Sequence, residues 1–422
     1  MGNLLNDVVI NKLSGGLGRR TPDRDMVSGL LFDLSPSGTK KSENPNIEVG
    51  RLYRFASLED AEGSGFVSSI DKNGCSVYYQ IAQFFRINPS GDLLVMGVDN
   101  SVAIGDNTED TYQNLVAQTD NLLTKANGEI RQLAVSFGKL TTTFAETTGA
   151  VGVAATITRK AFETDYRPLE ILLEGKGFGE LIVDGGPGVA TAENLRGLNA
   201  PNVSVTIAMD PEKANETGGN FKNTAAVGVL LGAVSRAKVS ENIAWIEKFN
   251  LTGEGFRSVG YVGGLDLPTE GDQGTLNNLG YIFSRKHIGI PGVYFNDSHT
   301  CTLETDDFAF IEANRTINKA ARISRTALLP KLNSPVLVDP ETGKLPPSVV
   351  KGYETLCRSA LERMISNEEA SDIDVFVDPN QDILANSQLN IKIAIVPLGT
   401  ARKIVVDLGF KNPFQINAAA AS

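Results

Sequence analysis

Histidine, cysteine and tryptophan are scarce, at two, three and one in 422 residues. His287 and His299 are the only imidazoles, so a Ser-His-Asp hydrolase would have to use one of them. No G-x-S-x-G elbow is there to present its serine, since Gly63-Ser64-Gly65 lacks the spacing. His299-Thr300-Cys301, with His287 upstream, is the one metal-like grouping. It has no second Cys-x-x-Cys or His-x-x-x-His arm to close a tetrahedral site, so turn-capping or solvated histidines and no metal are expected. Cys75, Cys301 and Cys357 are odd in number and far apart, which excludes a regular disulfide framework and points to a reducing compartment. An excess of positive charge is also missing. With 39 basic against 50 acidic side chains the net charge is −11, which argues against a general nucleic-acid or anionic-membrane binder. The longest apolar run, Ala225 to Val234, is about half a membrane span. The opening MGNLLNDVVINKL lacks a basic region followed by an apolar core, and Asn6 stands where a myristoylation signal needs Ser or Thr. The expectation is a soluble protein made in the cytoplasm.

Phosphate-cradling loops are incomplete as well. Gly175-Lys176-Gly177-Phe178-Gly179 and Gly185-Gly186-Pro187-Gly188 follow apolar runs, but neither completes a dinucleotide or P-loop fingerprint. Gly138-Lys139 is followed by Leu140, where a P-loop needs a hydroxyl for magnesium. Tight turns account for these glycines, and no cofactor is expected. Asp99 follows an apolar strand, a position where α/β enzymes often keep a functional carboxylate and where idle loop carboxylates are also common.

What is present is a globular composition, 41% apolar and 21% charged, punctuated by 42 glycines and 18 prolines. Turn formers dominate residues 1–50, with strand-like pieces at Asp7 to Leu13 and Gly29 to Leu34 that have too few apolar neighbours for a core of their own. Between 51 and 270 helical and strand patterns alternate. Val77, Tyr78, Ile81, Phe84 and Phe85 form a helical stripe, and Leu93 to Val98 is a buried-strand run. Thr108 reads as the cap of a helix carrying Leu115, Val116, Leu122 and Leu123 inward. Strands are expected at Ile130 to Phe137, Leu169 to Leu173, Leu181 to Val183 and Val203 to Met209, then a helix from Asn223 to about Lys238. Glycines near 149–153, 175–188 and 253–264 read as breaks. This alternation predicts an α/β layer with some parallel pairing.

Beyond residue 280 two strand pieces flank Gly289, and a long helix spans Asp306 to Leu329. A second helix opens at Pro346-Pro347, with Val349, Val350, Tyr353, Leu356, Cys357, Ala360, Leu361, Met364 and Ile365 on one stripe, which makes Cys357 a core residue. Strands follow at Ile373 to Val377, Gln388 to Val396 and Lys403 to Phe410. On the first helix Arg315, Lys319 and Arg322 fall at i, i+4 and i+7. They either compensate the helix dipole on a solvated helix or offer a basic strip to an acidic partner. No catalytic constellation assembles, and both ends are strand-forming extensions. That combination suggests a structural protein that polymerises by lending strands to neighbours.

The last third carries a recognisable series: Asn314-Arg315-Thr316-Ile317, Leu332-Asn333-Ser334-Pro335, Gly343, Ser371 to Val375, then Leu389 to Gly399 (LNIKIAIVPLG) running into Ala401 to Phe410 (ARKIVVDLGF). It resembles the core domain of contractile phage tail sheath proteins. Leu279 to Phe283, Gly292 to Asp297, Leu13 to Arg19 and Val27 to Phe32 are similar to sheath-like proteins of Mu-type prophages and contractile injection systems. The resemblance implies an α/β (α+β) multidomain fold. Residues 1–35 would supply an N-terminal arm and the first core strands, 36–270 inserted outer α/β domains, 271–400 a sheath core of mixed sheet plus helices, and 401–422 a C-terminal arm. It also implies a non-enzymatic subunit that polymerises with itself as hexameric rings in a helical tube around an inner tail tube protein. Baseplate and tail terminator proteins would be further partners, with no nucleic acid or membrane among them. Such a sheath is assembled in the bacterial cytoplasm, becomes part of a virion or phage-like tail, and contracts to drive the tube through a cell envelope. Inter-subunit strands would be carried by Val8, Val9, Ile10 and Lys12 and by Ile404, Val405, Val406, Leu408 and Phe410. Arg315, Lys319 and Arg322 are the candidate tube contact. The rival readings are an α/β nucleotide-binding enzyme and another self-assembling virion or shell protein.

Overall fold

The computed structural model describes residues 24–34, 47–72, 75–107, 110–138, 143–178, 189, 192–216, 221–253, 256–264 and 270–410. The chain divides into two compact units, Met1–Thr326 and Ala327–Ser422.

The first unit is built on a seven-stranded sheet. In chain order its strands are β1 (Val27–Asp33), β2 (Leu52–Phe55), β3 (Asp92–Val98), β4 (Gln132–Ser136), β5 (Glu170–Glu174), β6 (Val203–Thr206) and β7 (Tyr281–Ile282), and in space they run β2-β3-β1-β4-β5-β6-β7. All neighbours pair in parallel except β2 with β3. β1 sits between β3 and β4, with Leu30 opposite Val95 on one side and Ala134 on the other. Every residue of β1 is buried. That is why its sequence reads as a continuous run rather than an alternation: both faces of a parallel sheet are covered. The N-terminal piece at Gly29 to Leu34, expected to need a pairing partner, thus finds it inside its own subunit.

The covering helices range from 5 to 19 residues. They are α1 (Leu58–Gly63), α2 (Val77–Ile87), α3 (Tyr112–Ala117), α4 (Thr119–Lys125), α5 (Ala145–Glu163), α6 (Pro211–Asn215), α7 (Val227–Arg236), α8 (Glu270–Asn278) and α9 (Ile311–Leu328). The α2 stripe is buried at Val77, Ile81, Phe84 and Phe85 as its period requires. The cap of α3 is Thr111, whose hydroxyl accepts from the Asn114 amide; Thr108 lies outside the described residues. α5 runs unbroken through the glycines at 149–153, which were expected to divide the chain. α7 packs on β1, β4 and β5 and against α2, while α5 packs on β5 and β6 and against α3. A hairpin of β8 (Ser284–His287) and β9 (Ile290–Phe295) turns at Gly289 with φ of 84°. The expected strand at Leu181 to Val183 lies outside the described residues.

The second unit contains α10 (Pro347–Ser366), β10 (Asp372–Val377), α11 (Ile383–Asn386) and β11 (Ile391–Val396). β10 and β11 pair antiparallel, Val375 opposite Ile393, with α10 packed on β10. Cys357, Leu361 and Met364 on α10, with Ile373 and Val377 on β10, are buried, as the stripe predicted. A small cluster of Leu345, Val350 and Val377 is flanked by Tyr353, Leu389 and Ile391.

Candidate strand-docking interface

The second unit ends in an unmatched surface. Along β11 Ile391, Ile393 and Ile395 are half-buried while Lys392, Ala394 and Val396 are exposed, so one face is turned to a core and one to solvent. Among the described residues no third strand joins β10 and β11, and each keeps one open edge. After Pro397 the chain continues through residues 401–410, all exposed and without assigned strand. Among the described residues this segment carries the densest exposed apolar sequence: Ile404 at 80%, Val405 at 71%, Val406 at 70% and Leu408 at 93%, with Phe410 fully exposed. The expectation of a strand at Lys403 to Phe410 is therefore unfulfilled within the single subunit. Its alternation, Ile404, Val406, Leu408 and Phe410 against Val405, Asp407 and Gly409, is that of a half-buried strand lacking a sheet. The other predicted arm, with Val8, Val9, Ile10 and Lys12, lies outside the described residues.

Arg315, Lys319 and Arg322 are brought together, but not on a displayed strip, and that expectation is corrected. Arg315 is 4% exposed and its guanidinium donates to the carbonyls of Ala237 and Lys238, both at 3.2 Å. Lys319 Nζ lies 2.5 Å from Asp25 Oδ2, and Arg322 Nη2 lies 2.7 Å from Asp25 Oδ1. The helical spacing was read correctly, but it marks the inner face of α9. Asn314, Thr316 and Asn318 are buried beside the three cations. Asn318 donates to Glu170 at 2.9 Å, Asn202 donates to the same oxygen at 2.7 Å, and burial pushes the Glu170 carboxyl up to about 8. Asp25 and Glu170 were missed by sequence reasoning. The only signal was the unmatched charge on an otherwise amphipathic α9, which needed acids from elsewhere.

Among the described residues, the places where ligand chemistry was considered are filled by the chain itself; Lys139, Leu140, Gly179 and Gly185 to Gly188 lie outside them. The order β3-β1-β4-β5-β6 has a switch point between β1 and β4, and such sheets commonly hold ligands at the carboxyl ends there. Here Tyr112 stacks on Phe137 at 4.9 Å between ring centres, just beyond β4. Fully buried Lys176 lies 2.5 Å from Glu174 and donates to the carbonyls of Phe137 and Asn223. Desolvation raises the Glu174 carboxyl, and Lys176 works against that rise. Gly177, at φ of 92°, lets this loop pass where a Cβ would come within 2.6 Å of the Phe144 amide nitrogen, so its glycines serve packing. His299 is buried between Arg196 and Asn277, at 3.2 and 2.9 Å, while His287 is half-buried with its pKa lowered by desolvation and by Arg285. Cys75, Cys301 and Cys357 are buried free thiols, and burial raises all three, Cys75 to about 12. Asp99 accepts from the Ser101 amide and hydroxyl. Among the described residues no group of three His, Cys, Asp or Glu could hold a metal, and no helix is long and apolar enough to cross a membrane.

A mixed seven-stranded sheet unit followed by a unit with a two-stranded sheet is a fold shared with chains of solved contractile assemblies. A chain of the anti-feeding prophage baseplate matches with a TM-score of 0.58 at 15% identity, over 97% of this chain and 99% of that one. A chain of an extracellular contractile injection system, the PVC sheath complex in its contracted state, matches at 0.57 and 12%, over 98% and 99%. A sheath tail protein from Desulfitobacterium hafniense matches at 0.50 and 11%, over 93% and 100%. No curated protein matches the sequence. The chain belongs to the DUF2586 family: its N-terminal domain matches residues 5–299 and its C-terminal domain residues 307–415.

Proposed function

We propose that this chain is the structural subunit of a contractile tail sheath in a phage or phage-like particle. In this reading it is made in the bacterial cytoplasm, stacks as hexameric rings around an inner tube, joins baseplate and terminator proteins at the ends, and contracts to drive the tube through an envelope. The observation that carries the reading is the exposed alternating segment at 401–410, placed after a two-stranded sheet with open edges. Ile404, Val406, Leu408 and Phe410 would occupy one face of a strand added to a neighbour's sheet, the backbone supplying register and the side chains affinity. Burying four such side chains gains about 1.5–3 kcal/mol each, while fixing roughly ten residues costs about 1–2 kcal/mol each in backbone entropy. On those terms alone a single arm falls short, and its backbone hydrogen bonds to the receiving sheet must supply the difference. A lattice in which every subunit gives and receives strands converts that marginal exchange into avidity, and arms joined through loops survive rotation of the bodies they connect.

Negative-stain electron microscopy tests this with the full chain, a chain ending at Leu398, and the double variant Val406→Asp, Leu408→Asp. Long hollow striated tubes from the full chain alone are expected. Tubes from the truncated chain would refute the role of the arm. Discrete particles from the full chain at every concentration would refute the sheath reading, and closed shells would favour another assembling virion protein.

A further inference from the structure

Among the described residues the chain enters the core of the first unit just after Asp25 and leaves it along α9, and these two points are ion-paired to each other. Arg24 and Met26 are exposed, Asp25 is half-buried between them, and β1 begins at Val27 as the buried centre of the sheet. At the far end α9 is buried through Ala320 except at half-buried Ala313 and Ile317, half-buried from Ala321 to Ser324, and exposed at Arg325 and Thr326, where the unit ends. The carboxylate of Asp25 takes Lys319 on one oxygen and Arg322 on the other, at 2.5 and 2.7 Å, with the three side chains 19%, 10% and 12% exposed. Its backbone is fixed as well, since Gln132 on β4 donates to the Asp25 carbonyl at 3.1 Å and to Ser28 at 2.9 Å.

We infer that Asp25, Lys319 and Arg322 form a clasp that carries tension between the two ends of the subunit without passing it through the sheet. A pull on the chain before Asp25, opposed by a pull on the chain after α9, would otherwise peel β1 from the bottom and α9 from its last turn. Peeling breaks hydrogen bonds one at a time and yields at low force. With the clasp closed, the two loads meet across charge-assisted bonds that are shielded from water and must break together. The pair of cations three residues apart presents one acceptor with two donors on a single helical face, so loss of either leaves the other engaged. The use of the clasp in a polymer rests on the sheath reading, in which neighbours hold both ends; the clasp itself does not.

Optical tweezers on the full-length chain test it. With handles on Arg24→Cys and Thr326→Cys, both exposed and flanking the clasp so that the second unit bears no load, Asp25→Asn should open the first contact at least ten times faster at a fixed force than the otherwise unsubstituted chain, and Arg322→Gln, which keeps Lys319 on Asp25, should fall between them. With handles on Asp106→Cys and Glu193→Cys, both exposed and outside β1 and α9, Asp25→Asn should leave the first opening unchanged. Equal acceleration in both geometries would mean that Asp25 merely stabilises the fold, and no acceleration in the first would mean that the clasp bears no tension; either overturns the inference. Should Asp25→Asn not fold, Arg322→Gln in the same two geometries decides. Absence of tubes from the unsubstituted chain would sink the sheath reading while leaving these opening rates to judge the clasp.

Discussion

Glu170 shows what burial does to one carboxyl and what it does to the stability of the whole unit. It opens β5, is fully buried, and is pushed up to about 8 by desolvation, which Asn202, Arg315 and Asn318 only partly oppose. In the unfolded chain the same group titrates near 4.5. Between those values the folded form binds the extra proton, so stability falls as pH rises from about 4.5 to about 8 and is level beyond. Glu170→Gln keeps an oxygen to accept from both asparagines but cannot ionise. Its melting temperature should match the unsubstituted chain near pH 5 and exceed it by a few degrees at pH 8. A difference that does not change with pH, measured by circular dichroism across that range, would show that the carboxyl is not protonated in the fold. The sequence E-I-L-L-E gave no hint of this, because a glutamate ending an apolar run is ordinarily at a rim. Its partner Asn318 is 148 residues away, and only the topology brings α9 to the start of β5.

At the scale of the element, the packing of α7 on α2 depends on two glycines. Gly228 and Gly232 stand one helical turn apart on α7, facing α2. A Cβ at Gly228 would come within 2.2 Å of the Gln80 carbonyl oxygen and one at Gly232 within 2.9 Å of Ile87 Cβ. The close approach is used, for Gln80 accepts from the Gly228 amide at 2.6 Å and donates to the Ala225 carbonyl at 2.8 Å. Gly228→Ala should therefore cost at least about 1–3 kcal/mol, since the obstacle is backbone rather than a movable side chain. Gly152→Ala on α5, with nothing within 4 Å of the added carbon, should instead stabilise by about 0.4–1 kcal/mol. Urea midpoints measure both, and a neutral Gly228→Ala would refute the packing argument. The same glycines explain which elements were legible in the chain. α2, α10 and β11 announce themselves by period, because each has one apolar face and one polar, and β3 does so by an unbroken apolar run. α5 was hidden because Gly149, where a Cβ would strike Gln113, looks like a break although it marks the tight contact with α3. The seat of β1 was hidden because a central strand depends on partners 65 and 104 residues further on, as Val27 opposite Asp92 and Ser28 opposite Gln132 show. The alternation at 403–410 was legible, though the segment forms no strand in the single subunit, and the spacing of Arg315, Lys319 and Arg322 was legible while the side they face was not.

The two units differ in what holds them, and that difference predicts how the whole molecule unfolds. The first is organised around one continuous apolar core running from Val27 to Ile311. The second holds α10 against a two-stranded sheet and leaves Leu332, Leu337, Phe376 and Leu384 more than half exposed, besides the arm. A pair of strands with one helix is close to the minimum that is stable in water, and its stabilisation is set by the few side chains it buries. Local stability follows buried apolar contact, so the second unit should open first. Differential scanning calorimetry of the monomer is expected to show two transitions, the smaller and lower one lost in a chain ending at Thr326. Hydrogen exchange should release the amides of β10 and β11 well before those of β1 and β4. A single calorimetric transition with uniform protection would mean that the units unfold as one and that the second borrows its stability from the first. If the arms do pair between subunits, assembly adds strands to the weakest sheet of the molecule, and protection of β10 and β11 should rise on polymerisation while that of β1 stays where it was. The least stable part of the free subunit would then be the part its neighbours complete.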